Sequence, residues 1–216
     1  MTALIPAINA ETFEEVVRRI RMLEPLAEKF GFNTVHLDVA DGTFTENTIW
    51  HDARELVGFE TPLAIEAHLM LAEIDMRLEG WLFDPMTRII FHKEAAHDPS
   101  FVIQKCRDAK IGVGIAVRPE TDWKVTKPYW SAVDCVQLLS VIPGRAGQAI
   151  QEGTTDKLRA LRAACPSCTI EVDGGVSARN AKELKDAGAD WLVAASAIFD
   201  APDVEGAIAN LTQAVS

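Results

Sequence analysis

Val35-His36-Leu37-Asp38-Val39-Ala40-Asp41-Gly42 reads as a strand that runs into a turn. Successive side chains of an extended chain point to opposite faces, so His36 and Asp38 share one face with apolar residues between them. An imidazole and a carboxylate facing inward from an apolar strand are costly to desolvate without a partner, and one divalent cation satisfies both. A buried His–Asp hydrogen bond satisfies them as well, so this pair alone leaves both readings open. Two further apolar runs close in the same manner, at Glu66-Ala67-His68-Leu69-Met70 and at Glu171-Val172-Asp173-Gly174-Gly175. Three strand ends that each carry a His or an Asp point to a shared site.

Outward from that stretch, apolar strand-like runs alternate with segments of helical periodicity, and eight such pairs can be marked. The strands are predicted at Leu4 to Asn9, Thr34 to Val39, Leu63 to Leu69, Arg88 to His92, Gly112 to Val117, Cys135 to Val141, Thr169 to Asp173 and Trp191 to Ala195. Thr12, with Glu15 at the capping-box position, starts a helix whose apolar stripe is Val16, Val17, Ile20, Leu23 and Leu26. Comparable stripes occur at Phe101 to Ala109, Lys157 to Ala164, Ala178 to Ala187 and Val204 to Ala214. The helix after the second strand is short, and the one around Trp123 to Trp130 is broken by Pro128. Strands rich in Ile, Val, Leu and Ala that alternate with helices imply a parallel sheet covered by helices. The count fits one α/β domain over residues 1–216, a closed (β/α)8 TIM barrel. An open doubly wound sheet uses fewer strands and carries a glycine-rich first turn, which Asn9-Ala10-Glu11-Thr12 lacks. Barrel active sites lie at the C-terminal ends of the strands, where His36, Asp38, His68 and Asp173 all fall.

The chain has 216 residues, 48% of them hydrophobic. A domain of that size buries roughly 70% of its unfolded surface. Its formal net charge of −11 and lack of any Lys/Arg cluster argue against nucleic acid. The five tryptophans form no periodic set with basic residues, so base stacking is unsupported too. No stretch approaches the roughly 20 uninterrupted apolar residues of a membrane span, and no basic region precedes an apolar run at the N-terminus. The expectation is a soluble, non-secreted, cytoplasmic protein without a membrane partner. Apolar surface on the outer helices would permit a homo-oligomer, which the sequence does not locate. Cys106, Cys135, Cys165 and Cys168 lack the dense spacing of a secreted disulfide scaffold, which fits a reducing compartment. The C-x-x-C at Cys165 to Cys168 supplies half a zinc site and reads as an incidental pair of thiols at a helix end.

The chain resembles the ribulose-phosphate 3-epimerase family. The matching segments are His36-Leu37-Asp38-Val39-Ala40-Asp41-Gly42, His68-Leu69-Met70, Ser140-Val141-Ile142-Pro143-Gly144-Arg145-Ala146-Gly147-Gln148, Glu171-Val172-Asp173-Gly174-Gly175 and Ala195-Ser196, in the family's order. The resemblance implies a ribulose-phosphate-binding barrel that interconverts D-ribulose 5-phosphate and D-xylulose 5-phosphate. It also implies one divalent metal ion on His36, Asp38, His68 and Asp173, with Asp38 and Asp173 exchanging protons with the substrate. Inverting a carbon next to a ketone needs a proton removed from one face and another delivered to the opposite face, so two acid/base groups must flank it. Strands two and seven lie three steps apart around a closed ring, which lets the two aspartates face each other. Two imidazoles and two carboxylates suit zinc first, then iron, manganese or cobalt. Without a basic patch, the ketose phosphate must be held by backbone N–H groups and by residues of the late loops, here Gly144, Gly147, Gln148, Gly174, Gly175, Ala195 and Ser196, with Met70 lining the site.

Several positions depart from the family pattern. The family opens with a Pro-Ser-Ile-Leu-Ser type of segment whose second serine touches substrate, and this chain has Pro6-Ala7-Ile8-Asn9-Ala10. Alternation sets Asn9 on the face opposite Ala10, which argues against its replacing that hydroxyl. Ala40 and Leu139 stand where methionines are usual, and Ile142, Arg145 and Ala146 replace Asn, Phe and Gly in the flexible loop. Ala195 replaces a glycine. Arg145 is the one new charge able to reach a phosphate, although an exposed loop arginine is generally solvated. His92-Lys93-Glu94 resembles a His-x-Glu pattern of the family at the pocket mouth, read by itself as a strand-end histidine and a solvated glutamate. Asp41 is read as a turn residue bonded to backbone, Trp81 and Trp191 as packing between helices and barrel, and His51 and His97 have no assigned role. The drifted contacts leave room for another ketose phosphate, such as an allulose 6-phosphate-like hexulose, or for a non-catalytic metal and sugar-phosphate binding barrel. Decarboxylase or aldolase chemistry expects a lysine beside the strand-end acids, and neither motif supplies one.

Overall fold

A computed structural model describes residues 2–215 and closes eight parallel strands into a barrel. The strands are β1 (Ala3–Ile8), β2 (Thr34–Ala40), β3 (Ala64–Met70), β4 (Met86–His92), β5 (Gly112–Val117), β6 (Cys135–Leu139), β7 (Ile170–Asp173) and β8 (Trp191–Ala194). Each pairs with the next, and β8 returns to β1 through Ala3↔Trp191 to Pro6↔Ala194. The apolar runs predict all eight to within two residues at either end.

Strand alternation divides the core in two. Val35, Leu37, Val39, Ile65, Leu69, Phe91, Ile115, Val136 and Val172 point outward into the layer under the helices. The intervening positions point inward, and there the residues are unusually polar: His36, Glu66, His68, His92, Gln137 and Glu171 have no exposed surface. Room for these long side chains comes partly from β5, whose inward positions include glycine. A Cβ on Gly114 would stand 2.4 Å from Ile90 Cδ1 and 2.5 Å from Cys135 Sγ, closer than packed carbons approach.

The outer layer is uneven. Helix α1 (Phe13–Phe30) starts as expected at Thr12, whose hydroxyl accepts from the Glu15 N–H, and ends at Gly31 in the left-handed conformation. The next crossovers are short, with a 3-10 turn at Ala53–Leu56 between β2 and β3, then α2 (Ile74–Arg77) and a second 3-10 turn at Leu78–Trp81. Helix α3 (Pro99–Asp108) is capped by the Asp98 carboxylate. The segment with Pro128 forms a 3-10 helix, Trp123–Tyr129, because proline lacks the N–H an α-helix needs there. Helices α4 (Thr154–Ala164), α5 (Ala181–Ala187), α6 (Ser196–Phe199) and α7 (Val204–Val215) complete the ring. Among the described residues no helix is long and apolar enough to cross a membrane.

Two expectations are corrected. Cys165 and Cys168 form a disulfide, their Cα atoms 5.4 Å apart, because the chain turns back at the end of α4 and brings the thiols together. Cys106 and Cys135 are free and buried. Trp191 does not pack between helices and barrel. It lies on the inner face of β8 against Ile90 and Cys135, with the Arg88 guanidinium carbon 4.2 Å from its ring centre. Trp81 does join the outer layer, edge-on to Trp50 at 5.8 Å.

Candidate active site

The barrel register assembles the strand-end acids and histidines. Asp38 of β2 pairs with His68 of β3, and His36 pairs with Glu66 one layer below. From the other side, β7 brings Asp173 to the same depth, paired with Leu139 of β6 and Val193 of β8. The nearest donor atoms of His36, Asp38, His68 and Asp173 all lie within 4.8 Å of one another. His68 Nδ1 is 3.1 Å from Asp38 Oδ1 and 3.3 Å from Asp173 Oδ2, while His36 Nε2 is 3.5 Å and 3.8 Å from the same two oxygens.

These four residues fit a divalent metal. Ligand atoms placed tetrahedrally at about 2.0–2.2 Å from zinc are roughly 3.3–3.6 Å from each other, the spacing of this cluster. His36 Nε2 is fully buried and has no hydrogen-bond partner, although it faces two carboxylates. A buried ring nitrogen without a hydrogen-bond partner calls for an occupant, and a cation between the two carboxylates supplies one. Without a cation, protons fill the role. Burial disfavours charge on His36, but the carboxylates of Asp38, Glu66 and Asp173 raise its pKa well above the ordinary range, and Asp173 and Asp38 raise that of His68 against the same burial. Burial opposes charge on Asp38 too, yet His36 and His68 hold it below the usual carboxylate range.

The second nitrogen of each histidine is also engaged. His36 Nδ1 is 2.6 Å from Glu66 Oε1, and Glu66 in turn pairs with Arg88 from β4. His68 Nε2 is 2.9 Å from His92 Nε2, and His92 Nδ1 is 3.4 Å from Glu94. His92 is therefore not at the pocket mouth but fully buried behind His68, and Glu94, with a side chain 23% exposed, is bound rather than solvated, accepting from the Arg118 N–H. Gln137 reaches from β6, its Nε2 donating to Glu171 at 3.0 Å and to Asp173 at 3.4 Å. Reasoning from strand ends missed Glu66, Arg88, Gln137 and Glu171. The period-two phase could have found them, since each lies an even number of residues before an inward-facing strand-end residue.

Asn9 is a further correction. Alternation does separate Asn9 from Ala10, but Asn9 is the residue in phase with the inward Ile5 and Ala7, while Ala10 packs in the outer core. The Asn9 Nδ2 donates to Asp38 Oδ2 at 2.9 Å.

Above the cluster is a concavity lined by Asp38, Met70, Gly144, Gly147, Gln148, Asp173, Gly174, Gly175, Ala195 and Ser196. The residues expected to hold substrate therefore share one pocket with the two aspartates, and His36 and His68 lie buried against those aspartates. The turn after β7 and the loop after β6 are fitted to each other. A Cβ on Gly174 would meet Val141 Cγ2 at 2.4 Å, and one on Gly175 would meet the Ile150 nitrogen at 2.5 Å. Ser140 donates to the Asp173 carbonyl at 2.7 Å, tying β6 to the same turn. The Gln148 side chain braces its own loop by donating to the Ile142 and Arg145 carbonyls, both at 2.7 Å. Arg145 is exposed on that loop, at the edge of the concavity. Asp41, as expected, caps its turn by accepting from the Thr43 N–H at 2.9 Å, and it also pairs with Arg77.

Residues 4–199 match the model of the ribulose-phosphate 3-epimerase family. The chain is 35% identical to a ribulose-phosphate 3-epimerase of Chlamydia muridarum over 179 residues, covering 80% of this chain and 78% of the relative. It is 29% identical to one of Schizosaccharomyces pombe over 223 residues, covering 98% and 93%. Among solved structures, 3-hexulose-6-phosphate synthase from Salmonella typhimurium superposes with a TM-score of 0.67 at 16% identity, covering 100% of this chain and 98% of the other, a likeness of fold.

Proposed function

The chain belongs to the ribulose-phosphate 3-epimerase family, and we propose that it interconverts D-ribulose 5-phosphate and D-xylulose 5-phosphate at the site built on Asp38 and Asp173. One observation carries this reading: the two carboxylates approach the same nitrogen, His68 Nδ1, at 3.1 and 3.3 Å, from strands on opposite sides of the barrel mouth. A pair of acids that share a floor and stand on either side of a pocket can serve the two faces of one carbon.

In this reading one aspartate, as carboxylate, takes the C3 proton, and the electron pair of the broken C–H bond moves into an enediolate. The other, as carboxylic acid, donates its proton to C3 from the opposite face and becomes the carboxylate. The next turnover in the same direction needs the two protonation states reset by solvent. The hydrogen bonds that Asn9 gives Asp38 and Gln137 gives Asp173 keep the two carboxylates apart and aimed. His36, Asp38, His68 and Asp173 would hold the divalent metal, zinc by donor chemistry, with iron, manganese or cobalt as substitutes. Bound there, such an ion offsets the negative charge that develops on the substrate's oxygens. At the other end of the pocket, the turn at Gly174 and Gly175, with Ala195 and Ser196 at the start of α6, offers backbone N–H groups to the phosphate.

The test is deuterium entry from solvent at C3 of D-ribulose 5-phosphate, followed by NMR with metal-loaded and chelated protein. Metal-dependent exchange with formation of D-xylulose 5-phosphate is expected. Absence of exchange in folded, metal-loaded protein sinks the proposal for this substrate and sends the search to hexulose phosphates.

A further inference from the structure

We propose that Asn9 is a positioning residue that ties the Asp38 carboxylate to the loop between β6 and α4, so that Asp38 is aimed for proton transfer when that loop lies over the site. The inference rests on the reading of Asp38 as a proton carrier.

The side-chain amide of Asn9 has two N–H bonds, and two acceptors stand beside it. Its Nδ2 is 2.9 Å from Asp38 Oδ2 and 3.4 Å from the carbonyl oxygen of Gly144. Asp38 turns its other oxygen, Oδ1, to His68 and His36. A carboxylate on a strand end can rotate about its Cβ–Cγ bond. Held by imidazoles on one oxygen and an amide on the other, it keeps one orientation.

Asn9 is itself anchored. Arg19 of α1 donates through Nη1 to the Asn9 carbonyl at 3.1 Å, so the residue after β1 cannot swing freely. On the loop side, Asn47 Nδ2 donates to the same Gly144 carbonyl at 2.9 Å, and Thr45 Oγ1 fixes Asn47 by donating to its carbonyl at 2.6 Å. Gly144 has φ 102°, and a Cβ there would stand 2.1 Å from Asn47 Oδ1. Only glycine lets this carbonyl face both amides. The loop that roofs the pocket and the acid beneath it thus meet at one side chain, and lifting the loop removes one of the two acceptors that hold the Asn9 amide.

Asn9→Leu keeps the bulk and removes both donors, with Asn9→Ala as a second variant if leucine disturbs packing. Two measurements test the idea. Amide hydrogen exchange over residues 142–148, read by mass spectrometry, should rise about 5- to 10-fold, the effect of one lost hydrogen bond. Unchanged exchange there overturns the tether, whatever the activity. The second measurement is deuterium entry at C3 from D-ribulose 5-phosphate and, separately, from D-xylulose 5-phosphate. Misaiming Asp38 should slow exchange by about 100-fold from one epimer, the one that Asp38→Asn slows most, and leave the other nearly unchanged. Equal slowing of both epimers, or of neither, overturns the positioning role, because general loosening acts on both faces alike. Wild-type protein that exchanges neither sugar counts against the epimerase reading instead, and the loop measurement still decides the tether.

Discussion

His68 and His92 meet through their Nε2 atoms at 2.9 Å, both without exposed surface. Two ring nitrogens at that distance need one proton between them. Burial pushes the His92 pKa down to about 4 against the pull of Glu94, so His92 is neutral at pH 7 and, with its own proton on Nδ1 toward Glu94, accepts at Nε2. His68 then carries its proton on Nε2, which leaves the Nδ1 lone pair for the metal position between Asp38 and Asp173. His92→Phe keeps an aromatic ring in the stack and removes the acceptor. Metal affinity should fall about 10- to 100-fold with little change in the fold, as measured by competition with a chromophoric chelator. Wild-type affinity in that variant means His68 does not depend on His92 for its tautomer.

Glu66 does the same for His36 and adds a second duty, since it also neutralises Arg88 inside the barrel. Glu66→Ala leaves a guanidinium facing the barrel interior without its main partner, at a cost of about 3–5 kcal/mol. The double variant Glu66→Leu with Arg88→Met removes both charges and should recover most of that stability in urea unfolding, because a well-packed apolar pair replaces a buried ion pair at little cost. Metal affinity should not recover, since His36 Nδ1 still lacks its carboxylate. Recovery of both would reduce Glu66 to a counterion for Arg88.

Glu171 makes stability depend on pH. Burial, then the nearby Glu66 charge, raise its pKa from 4.5 to about 8. Between those values the unfolded chain has released the proton that the folded protein retains, so the unfolded state binds fewer protons and stability falls as pH rises from about 4.5 to about 8. Glu171→Gln cannot ionise and keeps an acceptor for Gln137. In chelated protein, urea unfolding at pH 6 and pH 8 should show the variant gaining on wild type as pH rises. Parallel losses in both proteins would mean that Glu171 is not the group responsible.

The chain displays its barrel plainly and its chemistry only in part. Outward strand positions are almost all Val, Ile, Leu and Phe, so eight apolar runs stand out, and Asp38, His68 and Asp173 are visible because strand ends are where polar residues interrupt such runs, with His36 legible through its alternation with Asp38. The second polar layer is less visible. Glu66 and Glu171 lie at strand middles, where a lone charge reads as exposed, and Arg88 opens a run whose true start is Met86. Their partners come from other strands, through a register that no local pattern encodes. Asn9 misleads because the family's serine position falls on Ala10 and suggests that face for the site, whereas Ile5 and Ala7 set the inward phase of β1 and bring Asn9 in with them. The Cys165–Cys168 disulfide depends on how the chain turns after α4, which spacing alone leaves open.

If Asp38 and Asp173 divide the two faces of C3, removing one should leave half of the reaction. Asp173→Asn and Asp38→Asn preserve shape and a ligating oxygen, and each should lose epimerisation by about 10²- to 10⁴-fold. Exchange separates the two variants. The acid that remains can still remove a proton from the epimer that faces it and return a deuteron to the same face, so that sugar should gain deuterium at C3 without inversion. The other sugar should gain none, and the pattern should be reversed between the two variants. Metal content by atomic emission must stay near the wild-type ratio for the comparison to report on proton transfer, which makes the asparagine variants preferable to alanine ones. A single-acid mechanism predicts a different outcome, in which one substitution stops exchange from both sugars and the other stops it from neither. That result would leave one aspartate as a ligand only, and the two-face assignment would be wrong.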